Sequence, residues 1–214
     1  MDRNALVESL RSAGINDPRV LAAVEAVPRD RFVPEDLRRH AWADSPLPIG
    51  SGQTISQPYV VAYMTQELQL TPDSRVLEVG TGSGYQCAIL ANVAREVWSV
   101  EIRPELSERA GRVLAELGLD NVHLRIGDGS LGWPESAPYD AIIVTAACAT
   151  LPPALLAQLA EPDPPRRGGR LIAPVGQWRQ TLILTERAKR GYSERQLLDV
   201  RFVPLVDEEG EPQP

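Results

Sequence analysis

Cysteine and histidine are scarce in this chain, which has two of each among its 214 residues. Two cysteines cannot build a disulfide framework. We expect both to be buried small residues, because Cys87 falls in an apolar helix and Cys148 just past a strand. His40 and His123 stand far apart in the sequence. Metal binding and histidine-based nucleophilic catalysis are therefore poorly supported.

Long apolar runs and long basic runs are also missing. No stretch approaches the ~20 apolar residues that span a bilayer, and residues 1–4 lack the apolar core of a signal peptide. The 22 basic and 29 acidic residues give a formal charge of −7, so a nucleic-acid groove is not indicated. We expect a cytoplasmic monomer without membrane or nucleic-acid partners, although the sequence itself does not address the oligomeric state.

From residue 74 onward, strand patterns alternate with helix patterns. This rhythm predicts an α/β fold, a Rossmann-like doubly wound, mostly parallel sheet with helices on both faces. The expected strands lie near 74–79, 96–101, 121–126, 139–145 and 169–174, and the expected helices near 84–94, 104–117 and 152–160. Two further strands are expected at 180–185 and 196–205.

The segment before the sheet begins with two helical patterns, at 3–13 and 18–27. We expect these helices to flank the sheet or cover it. An irregular segment, 44–57, then leads into a helix from Pro58 to Leu68. The whole of 1–206 is expected to be one domain, with 1–57 as the flanking and covering part and 58–206 as the core, followed by a frayed acidic tail at 207–214.

Three glycines at alternate positions follow the first predicted strand of the sheet: Gly80, Gly82 and Gly84. A dinucleotide fingerprint needs its third glycine one place later, where this chain has Tyr85. The observed spacing, with Glu78 two residues before the first glycine, resembles the S-adenosylmethionine loop of Rossmann-like methyltransferases. Glu78 could help to hold the cofactor's ammonium group. The competing interpretation is a glycine-rich turn that binds nothing.

Two further acidic residues lie at the ends of later strands. Glu101 follows Gly80 by 21 residues, the interval at which an acid can accept hydrogen bonds from ribose hydroxyls. Asp128, beside Gly129, could accept from the adenine amino group. The simpler alternative for Asp128 is an ordinary Asp-Gly turn.

Ser56 stands just before the helix that Pro58 begins. Backbone N–H groups at a helix N-terminus attract anions, so Ser56 and these groups could bind a carboxylate. The plain alternative is that Ser56 only caps the helix. The spacing does not decide between the two.

Residues 47–59, which read Leu-Pro-Ile-Gly-Ser-Gly-Gln-Thr-Ile-Ser-Gln-Pro-Tyr, resemble the signature of protein-L-isoaspartate O-methyltransferases. Other pieces of the chain resemble the same family in the same order: 26–33, 77–86, 127–129, 137–147, 168–171, 174–176 and 200–205. The similarity runs from about residue 5 to residue 205. The chain departs from the family pattern at 148–150, which leaves substrate preference open, and in a longer loop at 161–167, which we expect on the surface.

The resemblance implies transfer of a methyl group from S-adenosyl-L-methionine to the free α-carboxylate of L-isoaspartyl residues in damaged proteins, leaving S-adenosyl-L-homocysteine. The ester would then close to a succinimide, and its hydrolysis would return some normal aspartate. By position, Ser56 is the active-site serine. The implied cofactor residues are Ile49, Gly50, Ser51, Gly52, Thr54, Glu78, Gly80, Gly82, Gly84, Glu101, Asp128 and Gly129. The implied substrate residues are Ile55, Ser56, Arg201, Phe202 and Val203.

This chemistry suits a chain without a catalytic histidine or cysteine constellation. A carboxylate is already ionised at pH 7, so no general base is needed to make the nucleophile. Two other hypotheses stay open: a methyltransferase of the same fold acting on a small molecule or nucleic acid, and a cofactor-binding module without turnover. The glycine spacing and Tyr85 disfavour a nicotinamide oxidoreductase.

Overall fold

The computed structural model describes residues 2–207 and 210–211. Its α-helices are α1 Arg3–Ser12, α2 Pro18–Ala26, α3 Pro58–Leu68, α4 Tyr85–Ala91, α5 Pro104–Glu116 and α6 Pro153–Ala157. Its strands are β1 Leu47–Gly50, β2 Gln53–Ile55, β3 Arg75–Val79, β4 Glu96–Glu101, β5 Val122–Ile126, β6 Ala141–Val144, β7 Arg170–Val175, β8 Gln180–Arg187 and β9 Tyr192–Val200. Short 3-10 helices lie at Arg29–Phe32, Glu35–His40, Gly129–Leu131 and Pro134–Ser136.

Seven of these strands form one sheet in the order β5-β4-β3-β6-β7-β8-β9. Strands β3 to β7 pair in parallel, and β8 pairs antiparallel with both β7 and β9. The predicted α/β fold with a mostly parallel sheet is confirmed. The two cysteines are buried and unpaired, as expected. Among the described helices, none has both the length and the apolar character to cross a bilayer.

Helices cover both faces of the sheet, because the central strands carry apolar side chains on both faces. Val76 and Ile143 belong to a core shared with helices α1 to α5, whereas Leu77 and Val144 belong to a second core with α6. Successive residues of a strand point to opposite faces, so one strand serves both cores. The N-terminal helices pack into the first of these cores, which makes residues 3–26 part of the same packed body.

The strand order reverses at the centre of the sheet. The chain moves outward from β3 through β4 to β5, then returns to place β6 on the other side of β3. In open α/β sheets a crevice opens at the carboxyl ends of the strands at such a switch point. The loops after β3 and β6 therefore flank the position where a ligand is expected.

The segment predicted as irregular, 44–57, contains a short antiparallel hairpin of β1 and β2. Ser51 and Gly52 join its strands, with φ of +50° and +68°. Two residues of positive φ are what a tight hairpin turn with the correct twist requires, and glycine adopts that region readily. The prediction missed the hairpin because each of its strands is only three or four residues long.

The last strand was placed wrongly by the sequence pattern. The prediction was 196–205, but β9 ends at Val200 and begins at Tyr192. Beyond it the chain leaves β8 and crosses to the loop after β6, where Ala147 N–H donates to Val203 O (2.8 Å) and Leu205 N–H donates to Ala147 O (2.7 Å). An apolar, extended segment looks the same in sequence whether its partner is a sheet neighbour or a distant loop.

Two predicted helices are shorter than expected, with α4 ending at Ala91 and α6 at Ala157. The loop 161–167 lies at the surface, as predicted. In the tail, Glu211 N–H donates to the Asp207 side chain at 2.9 Å. The rest of the predicted frayed tail, at 208–209 and 212–214, lies outside the described residues.

Candidate active site

A cavity opens at the carboxyl ends of β3, β4 and β6, where the topology predicts it. The loops after these strands, the start of α3, strand β2 and the crossing segment 202–206 surround it. Its lining is Gln53, Thr54, Ile55, Ser56, Val60, Val61, Met64, Val79, Gly80, Thr81, Gly82, Ser83, Tyr85, Gln86, Val100, Glu101, Ile102, Arg103, Gly129, Thr145, Ala146, Phe202, Val203, Pro204, Leu205 and Val206.

Gly80 is required by a close approach between the loops after β3 and β6. Its φ is +95°, and a Cβ there would lie 2.4 Å from Thr145 Oγ1. Thr145 instead donates its hydroxyl hydrogen toward Gly80 O, at 2.6 Å. The two loops are thus tied at the floor of the cavity, with bare backbone facing the space above it.

Glu101 brings a carboxylate to the cavity wall. It is buried, and its two oxygens accept from Gly82 N–H (2.8 Å) and Arg103 N–H (3.0 Å). These bonds fix the plane of the carboxylate. An ionised carboxylate has about four lone-pair sites, so it retains capacity for hydroxyl donors in the cavity.

Glu78 takes a different position from the one expected of a direct cofactor ligand. Among the described residues it is absent from the cavity lining, and it is fully buried behind the loop. Ser99 donates its hydroxyl to Glu78 Oε2 at 2.5 Å, and Ser99 is 2.6 Å from Thr81 Oγ1. Burial raises the pKa of Glu78 to about 8, so the carboxyl is largely protonated at neutral pH.

Gly129 reaches the cavity, but its neighbour Asp128 is absent from the lining among the described residues. Asp128 accepts from Ser130 N–H at 2.8 Å and caps the short helix Gly129–Leu131. The turn interpretation of Asp128 therefore describes one of its contacts, and the adenine contact stays a prediction. A Cβ on Gly129 would lie 2.5 Å from Val79 Cγ1, so only glycine fits there.

Gly84 and most of the hairpin tip also lie outside the lining in the described part of the chain. Gly84 is the N-cap of α4, and a Cβ on it would lie 3.0 Å from Ala110 Cβ in α5. The residues absent from the lining at the hairpin are Ile49, Gly50, Ser51 and Gly52, whereas Thr54 lines the cavity. Ser51 donates its hydroxyl to Glu105 at 2.9 Å, which docks the tip on α5.

Ser56 lines the cavity and does not cap α3. The N-cap of that helix is Gln57, and its side chain makes no capping bond to any described residue. The Asp44 carboxylate caps the helix instead, since it accepts from Tyr59 N–H at 2.8 Å and from the Gln57 amide at 2.9 Å. The expectation that this helix terminus offers free N–H groups to an anion is wrong for Tyr59, because its N–H already has a carboxylate partner.

The predicted substrate residues are divided between the cavity and the surface. Ile55, Phe202 and Val203 line the cavity together with Ser56. Arg201 is exposed and is not among the lining residues that the structure describes.

Several lining residues were not predicted from the sequence, among them Met64, Gln86 and Thr145. Thr145 follows β6 directly, so the rule that sites form at the carboxyl ends of strands could have found it. Met64 and Gln86 lie on helix faces, where their contact with the cavity depends on how the helices pack. No sequence signal distinguishes them from ordinary core positions.

Comparison with known proteins gives one consistent family. The sequence profile described as Protein-L-isoaspartate(D-aspartate) O-methyltransferase (PCMT) matches residues 1–210. A protein-L-isoaspartate O-methyltransferase of Anaeromyxobacter dehalogenans is 59% identical over 197 residues, covering 90% of this chain and 91% of the relative. One from Myxococcus xanthus is 56% identical over 198 residues, with the same two coverages of 90% and 91%.

Solved structures agree with the sequence relatives. A protein-L-isoaspartate O-methyltransferase structure superposes with a TM-score of 0.85 at 30% identity, covering 98% of this chain and 67% of the other. A Plasmodium falciparum structure described as a member of the same family, in complex with S-adenosyl-L-homocysteine, gives 0.81 at 28% identity, with coverages of 96% and 98%.

Proposed function

Because this chain belongs to the protein-L-isoaspartate(D-aspartate) O-methyltransferase family, we propose that the cavity at the carboxyl ends of β3, β4 and β6 is its active site. The enzyme transfers a methyl group from S-adenosyl-L-methionine to the free α-carboxylate of L-isoaspartyl residues in damaged proteins. The ester closes to a succinimide, which starts repair.

The residues of the cavity fit this cofactor. Gly80 and Gly129 line the cavity with backbone and no side chain, so backbone can approach a nucleoside closely. Glu101 offers lone pairs to the ribose hydroxyls, while its bonds to Gly82 and Arg103 hold it in place. Asp128 is assigned to the adenine amino group. When bound, the cofactor supplies an electrophilic methyl group on a sulfonium.

Glu78 supports the cofactor loop indirectly in this proposal. Glu78 is fully buried and is not among the cavity-lining residues that the structure describes, so we assign it no direct bond to the cofactor's ammonium group. Its bond to Ser99, and the bond of Ser99 to Thr81, anchor the loop from behind. Gly84 and the hairpin residues 49–52 contribute in the same indirect way, by packing the loop against α5 and closing one side of the site.

Ser56 orients the acceptor carboxylate. Since that carboxylate is ionised at pH 7, the hydroxyl of Ser56 needs only to donate a hydrogen bond. In the crossing segment, the N–H and carbonyl of Phe202 bond to the Gln180 side chain and Val203 O accepts from Ala147 N–H, so the Val203 N–H is the group we assign to the substrate peptide beside Ile55. Charge is lost when a carboxylate reacts with a sulfonium, so a site that aligns the reactants and excludes water favours the reaction. Arg201 would meet the peptide outside the cavity, at the surface.

One observation carries these assignments: Ser56 shares a cavity with the glycine loop and Glu101, and is not used as a helix cap. The decisive test is incubation with labelled cofactor and an isoaspartyl peptide beside its normal aspartyl twin. Label on the isoaspartyl peptide alone supports the assignment. Label on both peptides, or on neither, favours a methyltransferase with another substrate. Cofactor binding without turnover on any acceptor favours a binding module.

The remaining features of the protein are part of the same proposal. Residues 1–206 act as one domain, supported by the core that α1 and α2 share with the sheet. We include in this proposal a cytoplasmic monomer, and the absence of nucleic-acid partners, which the net charge of −7 supports. Light scattering of the purified protein tests the monomer, and cell fractionation tests the compartment.

A further inference from the structure

Arg29 is a fully buried arginine, with 0% of its surface exposed, at the start of the 3-10 helix Arg29–Phe32. Its guanidinium donates to three carbonyl oxygens from two separate segments. These are Ala41 O, Ser45 O (3.1 Å) and Ser56 O (3.0 Å). One side chain therefore ties the connector after α2, the segment before the hairpin and the Ser56 turn to each other.

Burying this charge is expensive. Burial lowers the pKa of Arg29 to about 10, and Tyr85 and Asp44 oppose that shift. The Tyr85 ring lies 5.6 Å from the guanidinium carbon. Arg29 Nε has no hydrogen-bond partner among the described residues. Burying an arginine without a carboxylate partner on its guanidinium costs folding free energy. We infer that the three carbonyl contacts which this cost maintains have a role in function.

Asp44 acts on the same turn from the other side. Its two carboxylate oxygens accept from the Gln57 side chain and from Tyr59 N–H. The carbonyl of Ser56 is thus held by Arg29, and the helix start just after Ser56 is held by Asp44. A planar guanidinium with five donors in a fixed fork is suited to holding several carbonyls at once, whereas a lysine has three donors on a single nitrogen and cannot reproduce that geometry.

We propose that Arg29 and Asp44 are positioning residues for methyl transfer, which fix the Ser56 carbonyl and the helix start that follows it and so aim the Ser56 hydroxyl at the acceptor carboxylate. The proposal rests on the orienting role given to Ser56 above. Neither residue is among the cavity-lining residues that the structure describes, so each acts through Ser56 and not on the reacting atoms.

The first variant is Arg29→Lys, which keeps the charge but loses the fork. We expect kcat for an isoaspartyl peptide to fall on the order of tenfold or more, because small misplacements at a reacting centre are costly. Affinity for S-adenosyl-L-homocysteine should stay within about threefold, since the glycine loop and Glu101 are untouched. Arg31→Lys is the matched control. Arg31 lies in the same 3-10 helix and pairs with Glu116 at the surface, so its kcat should be that of the wild type.

A double-mutant cycle separates positioning from a general loss of structure. If Arg29 acts through Ser56, adding Arg29→Lys to Ser56→Ala should lower kcat by less than about threefold, whereas independent effects would multiply. Asp44→Ala is the second variant. Because Asp44 is only partly buried and a lost helix cap costs about 1 kcal/mol, this variant should fold even if Arg29→Lys does not. It should show the same non-additivity with Ser56→Ala.

Each outcome has a distinct meaning. The positioning proposal alone is overturned if kcat is that of the wild type in both Arg29→Lys and Asp44→Ala. It is also overturned if either substitution lowers kcat as much in the Ser56→Ala background as in the wild type. Wild-type kcat in Ser56→Ala overturns the assignment of Ser56, and the positioning proposal with it. Low turnover in Ser56→Ala with non-additive second substitutions supports both.

Discussion

Replacing Glu78 with glutamine should remove a pH dependence from the free energy of unfolding. Glu78 is fully buried, and the Ser99 hydroxyl and the Cys87 thiol are its side-chain hydrogen-bond partners. Burial is the main cause that raises its pKa from 4.5 to about 8, while the hydrogen bond from Ser99 works in the opposite direction. Glutamine has the same shape and no proton to lose.

The sign follows from proton binding in the two states. Between about pH 4.5 and about pH 8, the folded protein holds a proton on Glu78 that the unfolded chain has released. Stability from this group is therefore complete below pH 4.5 and is lost as the pH rises toward 8, at about 1.4 kcal/mol per pH unit. From about pH 5.5 to about pH 7.5 the wild type should lose about 3 kcal/mol relative to Glu78→Gln.

Urea denaturation of both proteins at several pH values measures this difference. Glu135→Gln is the control, because Glu135 is exposed and its hydrogen bond with Arg125 lowers its pKa. Its carboxylate stays ionised in both states over this range, so its difference from the wild type should not change with pH. Parallel stability curves for the wild type and Glu78→Gln would show that Glu78 keeps its ordinary pKa when folded, and would refute the reasoning from burial.

Three other substitutions test the site. Ser56→Ala should lower kcat/KM for an isoaspartyl peptide by at least about tenfold while calorimetry gives an unchanged affinity for S-adenosyl-L-homocysteine; a large loss of that affinity would contradict its role. Glu101→Gln should weaken the same affinity by about tenfold, since an amide cannot accept with both ends, and unchanged binding would remove Glu101 from the ribose. Gly129→Ala should destabilise the protein by about 1–3 kcal/mol, because the new Cβ would collide with Val79. Gly127→Ala is the control, because its Cβ would meet no described atom within 4 Å. Equal melting temperatures of the two variants would refute this.

The sequence predicted the parts of the fold that depend on local periodicity. The alternation from β3 to β7 was visible because central parallel strands are short apolar runs separated by amphipathic helices. The end of β9 was not visible in the sequence. After Val200 the chain changes its hydrogen-bonding partner from β8 to the loop after β6, but its composition does not change there. The hairpin of β1 and β2 was hidden by its short strands and its glycines.

For the candidate site, too, the sequence predicted what depends on local motifs and missed what depends on packing. The glycine spacing and the acid at Glu101 indicated a nucleoside cofactor before any coordinates, since such loops follow strands at fixed intervals. Motif membership, however, did not say which residues face the cavity. Glu78 and Gly84 belong to the motif, yet in the described structure the first anchors the loop from behind and the second packs α4 against α5.

Sequence alone determined the fold class and predicted a nucleoside cofactor at the carboxyl edge of the sheet, because strand rhythm and glycine spacing are local properties of the chain; the resemblance to a family named the cofactor. Only the tertiary structure decided which polar groups hold Ser56. Arg29 lies 27 residues before the serine whose carbonyl it binds, and Asp44 lies 15 residues before the N–H that it caps. Contacts of that kind form when separate segments pack together, and residue spacing does not record them.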